Sequence, residues 1–152
     1  MAPPAVSNGV VAAAPSAEKA TTPEPVAALA RNFERIFFEF NAFTLDAEGK
    51  AALQENAAIL QQFPEIKVEV QGHADERGTT DFNVALGQKR ADAVVTQLQA
   101  LGVAPSRVKV VSYGEERPLD ASGSEVAWAK NRRCEFAIRW AGDAPVQGST
   151  TP

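Results

Sequence analysis

One stretch of this chain gathers most of the residues whose types and spacing could do chemistry: Gly72-His73-Ala74-Asp75-Glu76-Arg77-Gly78-Thr79-Thr80-Asp81-Phe82-Asn83, running on to Leu86, Gly87 and Arg90. It leaves a strand, turns through a charged loop and enters a helix, and loops at strand ends on a rigid scaffold are where binding groups concentrate. Within the helix Asn83, Gly87 and Arg90 share one stripe, with Leu86 one turn before Arg90. The stripe has little apolar weight, which places it away from the core. If the loop folds back over the helix start, Asp75 and Arg90 converge. A carboxylate facing a guanidinium suits a zwitterionic ligand, whose ammonium meets Asp75 and whose carboxylate takes forked hydrogen bonds from Arg90. The competing reading is an Asp75–Arg90 salt bridge that only fastens the loop.

Catalytic and metal chemistries fit less well. Asp75 and Glu76 are neighbours in one loop, whereas glycosidase carboxylates must face one another across the substrate. No Gly-rich nucleophile elbow is present. His73 is the only histidine, too few nitrogen ligands for a metal site of three or four donors, and a role in shaping the loop by hydrogen bonding is expected instead. The lone cysteine, Cys134, reads as a small buried hydrophobe. Neither a metal nor a cofactor is expected.

The elements that must position this loop follow from the apolar periodicity. Ile36-Phe37-Phe38-Glu39-Phe40 reads as a short strand. Asp46 caps a helix whose inward face is Leu53, Ala57 and Leu60, and Pro64 stops it. Ile66, Val68 and Val70 alternate with Lys67, Glu69 and Gln71, a half-buried strand. Thr80 or Asp81 caps a longer helix with Val84, Ala91, Val94, Val95, Leu98 and Leu101 inward, ended by Gly102. Val108 and Val110 lie in a third strand that runs to Tyr113-Gly114. A polar segment with a helical turn near Glu125 to Lys130 follows, and nothing in the sequence decides whether Trp128 is exposed there to serve a protein partner. Cys134, Phe136, Ile138 and Trp140 alternate with polar residues in the last strand. The order β-α-β-α-β-β predicts an α+β sandwich, one four-stranded mixed sheet covered on one face by two main helices. Its βαβ crossovers should make the strands they join parallel neighbours.

Residues 1–30, with Pro3, Pro4, Pro15, Pro23 and Pro25, read as a flexible linker spanning about 90 Å at most, at roughly 3 Å per extended residue. Residues 142–152 read as a flexible tail, leaving 31–141 as the folded domain. A net charge of -4 and a pI near 5.1 argue against general nucleic-acid binding. The most apolar N-terminal run, Val10 to Ala14, is far short of a membrane span or signal segment.

The segment Gly72 to Gly78, followed by Asn83, Leu86, Gly87, Arg90 and Ala91, closely resembles the peptidoglycan-binding signature of the OmpA-like family. Val111-Ser112-Tyr113-Gly114, Pro118 and Lys130-Asn131-Arg132-Arg133 resemble it too, most of all in the peptidoglycan-associated lipoprotein branch. The likeness covers about 33 to 141. It implies non-covalent binding of meso-diaminopimelate in the peptidoglycan stem peptide and no enzymatic activity. By resemblance Asp75 holds polar groups of the ligand, Arg90 clamps a carboxylate, Arg77 is a second arginine at the pocket and Leu86 lines it. Phe40 and Asn41 match an aromatic–acid pair, except that the branch usually has Asp where Asn41 stands. Asn83, Asn131 and Arg132 complete the candidate set. The resemblance also implies a place at the periplasmic face of the outer membrane, with any lipid or barrel anchor outside this sequence. Its rivals are a domain that binds only a Tol-system protein, a wall hydrolase, and a motor-stator anchor.

Overall fold

The structure, a computed structural model, describes residues 32–140 and 144–145. The linker and most of the tail read from the sequence lie outside those residues. Strand β1 (Ile36–Phe37) is followed by helix α1 (Ala47–Gln62), strand β2 (Lys67–His73), helix α2 (Thr80–Ala100), a 3-10 turn at Pro105–Arg107 and strand β3 (Val108–Gly114). Helix α3 (Glu125–Asn131), strand β4 (Arg133–Trp140) and the two-residue strand β5 (Ala144–Pro145) complete the order.

The sheet runs β1-β4-β2-β3, with β5 added beside β4. β2 and β3 are parallel, while β4 is antiparallel to both β2 and β1. The mixed sheet is as expected, with one correction. β1 and β2, joined through α1, are not neighbours, because the last strand inserts between them. Alternation along each strand sends Ile36, Val68, Val70, Phe136 and Ile138 into one core with Leu53, Ala57 and Leu60 of α1 and Ala91, Val94 and Leu98 of α2. Burial of this apolar face, at about 25 cal/mol per Å2, is the main force holding helices to sheet.

The helix ends have identifiable causes. The Asp46 carboxylate accepts the Gly49 N–H at 2.7 Å and caps α1, satisfying an amide that has no partner inside the helix. Phe63 ends α1 just before Pro64, since the residue before proline avoids helical geometry. The cap of α2 is Thr79, not Thr80 or Asp81: its hydroxyl accepts the Phe82 N–H at 3.1 Å. Gly102, at a φ of 97°, turns the chain out of α2. Ser124 caps α3 through the Ala127 N–H. The first strand is shorter than the aromatic run suggested, ending at Phe37.

The face of α2 differs most from expectation. Val84 is exposed, while Asn83, Leu86, Gly87 and Arg90 are buried. The cause is a backbone-to-backbone approach. A Cβ on Gly72 would collide with the Gly87 carbonyl, and one on Gly87 would strike the Ser112 hydroxyl. Two glycines therefore let α2 lie against the end of β2, turning the polar stripe inward. Ser112 strengthens the contact by donating to the Val84 carbonyl at 2.7 Å.

Candidate ligand-binding site

The loop after β2 is set by a register shift between Gly72 and His73 in the pairing with β3, an irregularity that redirects side chains at a sheet edge or beside a functional site. The Ala74 N–H then donates to the Gly114 carbonyl at 2.8 Å. These contacts point Asp75 into a narrow cleft with no room for a water molecule, lined by Phe40, Asn41, Ala74, Asp75, Arg77, Asn83, Leu86 and Arg90. Seven of the nine residues expected at the site from the sequence thus meet in one place.

Asp75 is buried and fully engaged. Its Oδ1 accepts the Arg77 backbone N–H at 3.0 Å and Arg77 Nε at 3.2 Å. Its Oδ2 accepts Arg77 Nη2 at 2.8 Å and Arg132 Nη1 at 3.4 Å. Burial alone would raise this carboxyl, but the hydrogen bonds from Arg77 and Arg132 outweigh it and hold Asp75 below the usual carboxylate range.

Arg90 is 0% exposed. Nε donates to the Ala42 carbonyl at 2.7 Å, Nη1 to the His73 carbonyl at 2.9 Å and Nη2 to the Glu39 carbonyl at 3.0 Å. Burial lowers its pKa to about 10, so it stays charged at neutral pH. Among the described residues Asp75 and Arg90 share the cleft but form no ion pair. The salt bridge weighed from the sequence is replaced by Asp75–Arg77 and Asp75–Arg132. A guanidinium has five N–H groups. Three of them hold carbonyls.

Arg132 reaches the site through Asp75 and is itself fixed by the Phe38 carbonyl at 2.9 Å and by Glu125 at 3.1 Å. Asn131 does not line the cleft. Its Oδ1 accepts the Leu119 and Asp120 N–H groups and its Nδ2 donates to the Asp120 carbonyl, which pins the preceding turn. Asn41 sits at a φ of 57°, a left-handed position that Asn and Asp tolerate better than other side chains. Asn83 is 1% exposed and its Nδ2 has no hydrogen-bond partner, an unmet donor at the cleft wall.

Sequence reasoning missed Trp128. It lies half-buried on α3, with its indole N–H donating to Glu76 at 2.9 Å. The Arg77 guanidinium lies 4.1 Å from the Trp128 ring and 3.9 Å from the Phe40 ring. The signal was the spacing of four between Trp128 and Arg132, which puts both on one helical face. His73 also departs from expectation. Both ring nitrogens are buried without a partner, its ring stacks on Tyr113 at 5.6 Å, and burial followed by the charge of Arg133 lowers its pKa to about 3. Cys134 is buried, and that burial pushes its thiol up. Among the described residues no cluster of three His, Cys, Asp or Glu could hold a metal, and no helix is long and apolar enough to cross a membrane.

The architecture is that of an α+β domain presenting a charged cleft at a strand–loop–helix junction. The OmpA family matches residues 37–132, and the chain belongs to that family. It is 43% identical over 109 residues to the peptidoglycan-associated lipoprotein of Pasteurella multocida, covering 72% of this chain and 73% of that one. It is 38% identical to the Brucella melitensis protein of the same name, covering 72% of this chain and 65% of that one. The chain therefore spans just under two thirds of the Brucella protein. The crystal structure of the peptidoglycan-associated lipoprotein from Burkholderia pseudomallei superposes with a TM-score of 0.67 at 38% identity, covering 69% of this chain and 89% of that one.

Proposed function

We propose that this domain binds the peptidoglycan stem peptide without cleaving it, recognising meso-diaminopimelate, and so tethers the outer membrane to the wall from the periplasmic side. One observation carries this: a single cleft brings together the Asp75 carboxylate, the Arg90 guanidinium and the unmet amide donor of Asn83. That set complements an ammonium and a carboxylate on one carbon, the chemistry at the end of a diaminopimelate side chain. The names of the Pasteurella and Brucella relatives support it.

The interaction is small and polar, so a single site is weak and membrane attachment raises its effective concentration. A Tol-type periplasmic protein using the same face would compete with the stem peptide. The test is calorimetric titration with the tripeptide L-Ala-γ-D-Glu-meso-diaminopimelate and with its lysine analogue, which lacks the distal carboxylate. The expected result is binding of the first and at least tenfold weaker binding of the second. Equal affinity for both would refute recognition of that carboxylate.

A further inference from the structure

The bonds made by Asp75 raise a difficulty for any ammonium ligand. A carboxylate offers about four acceptor positions, and Asp75 already accepts four hydrogen bonds, three from Arg77 and one from Arg132. The cleft is also too narrow to admit a water molecule. A ligand cation reaches Asp75 only if one of these partners leaves.

The two arginines differ in how firmly they are held. The Arg132 side chain is 6% exposed and is tied to the Phe38 carbonyl and Glu125 as well. The Arg77 side chain is 32% exposed, with the faces of Phe40 and Trp128 beside it and the charges of Glu125 and Glu76 near it as well as Asp75. One wall of that place is held independently of Arg77, since Trp128 is tied through its indole N–H to Glu76. Two aromatic faces and a carboxylate make a site suited to a cation.

We propose that Phe40, Trp128 and Asp75 form a cation slot, that Arg77 fills it in the free protein, and that the ligand's ammonium enters by displacing the Arg77 guanidinium. The inference rests on the stem-peptide reading above and deepens it: Trp128 becomes a ligand-contacting residue and Arg77 an internal competitor. Swinging Arg77 out costs a two-pronged ion pair to the buried Asp75 carboxylate and two ring contacts but leaves its backbone N–H on Asp75. Only the fraction of molecules with Arg77 displaced is competent, and the observed affinity falls in proportion to that fraction.

The experiment uses the same diaminopimelate tripeptide with wild type, Arg77→Lys and Arg77→Ala. Affinity is expected to rise in that order, on the order of tenfold from wild type to Ala, because contacts of this kind populate the closed form by about that factor. In the Arg77→Ala background, Trp128→Ala should then weaken binding severalfold. Nuclear magnetic resonance supplies a second readout. The Arg77 δ protons, shifted by the two rings in the free protein, should return to their ordinary position on ligand addition. Binding by wild type with the Arg77 signals unmoved, or weaker binding by Arg77→Ala, would overturn the displacement and make Arg77 a direct ligand contact. Failure of every variant to bind would instead sink the stem-peptide reading, and the slot with it.

Discussion

Replacing Arg90 by Met separates its structural role from ligand recognition. The guanidinium holds carbonyls from three places, Glu39, Ala42 and His73, and so joins the segment after β1 to the end of β2. A hydrogen bond from a charged donor contributes about 1.5–3 kcal/mol. The low end applies to Glu39 and Asn41-flanked Ala42, which can regain water, so removing all three contacts costs about 6 kcal/mol. Against this, the substitution relieves the burial of a charge. Arg90 stands at about 10 instead of 12.5, equivalent to about 3.5 kcal/mol at roughly 1.4 per tenfold. Met nearly fills the aliphatic part of the space, so Arg90→Met should destabilise the domain by about 2.5 kcal/mol. That is a large share of the roughly 5–15 kcal/mol typical of a domain, yet leaves it folded at 25 °C. Urea unfolding followed by circular dichroism should show a lower midpoint with an unchanged slope. Arg90→Lys should lose almost as much, because one ammonium cannot span three carbonyls. Stability within about 0.5 kcal/mol of wild type for both variants would refute the bracing role. Loss of wall binding in an Arg90 variant is therefore not by itself a test of ligand contact.

Two further outcomes follow from the same contacts. His73 has a folded pKa of about 3 against an ordinary 6.5, so between these values the unfolded chain binds the extra proton. The stabilisation is complete above pH 6.5 and is lost as pH falls towards 3, at up to about 1.4 kcal/mol per pH unit. His73→Phe keeps a ring against Tyr113 and should remove that part of the pH dependence in urea titrations from pH 4 to 7; an unchanged dependence would contradict it. Gly72→Ala drives a methyl into the Gly87 carbonyl and should lower the melting temperature by several degrees, where an unhindered strand Gly→Ala change would leave it equal or higher. A neutral result in thermal unfolding would show that α2 can slide away from β2.

Local pattern revealed the elements more completely than their arrangement. Alternation at Val68 and Val70, the Asp46 cap and the stop at Pro64 are decided by neighbours in sequence, and all appear in the structure. The insertion of β4 between β1 and β2 depends on contacts far along the chain and leaves no local periodicity. The inward face of α2 was misjudged because hydrophobicity assigns Asn83 and Arg90 to the surface. Their burial depends on the Gly72–Gly87 approach and on carbonyls contributed from Glu39 to Ala42. At the site, the approach of Asp75 and Arg90 to one cleft was legible from one loop and its helix, whereas Arg77 was placed there by family likeness. Arg132 was placed there only by family likeness, and the ring of Trp128 not at all, since both arrive from α3 and the start of β4.

The most direct test of the central claim is co-sedimentation with purified wall sacculi of the diaminopimelate and lysine types, for wild type and for Asp75→Asn. The variant keeps the shape of Asp75 without its charge, and circular dichroism verifies its fold. Wild type should pellet with the diaminopimelate wall alone, and Asp75→Asn should stay in solution with both. Wild type remaining in solution with both walls, or pelleting equally with both, would contradict diaminopimelate recognition by this cleft.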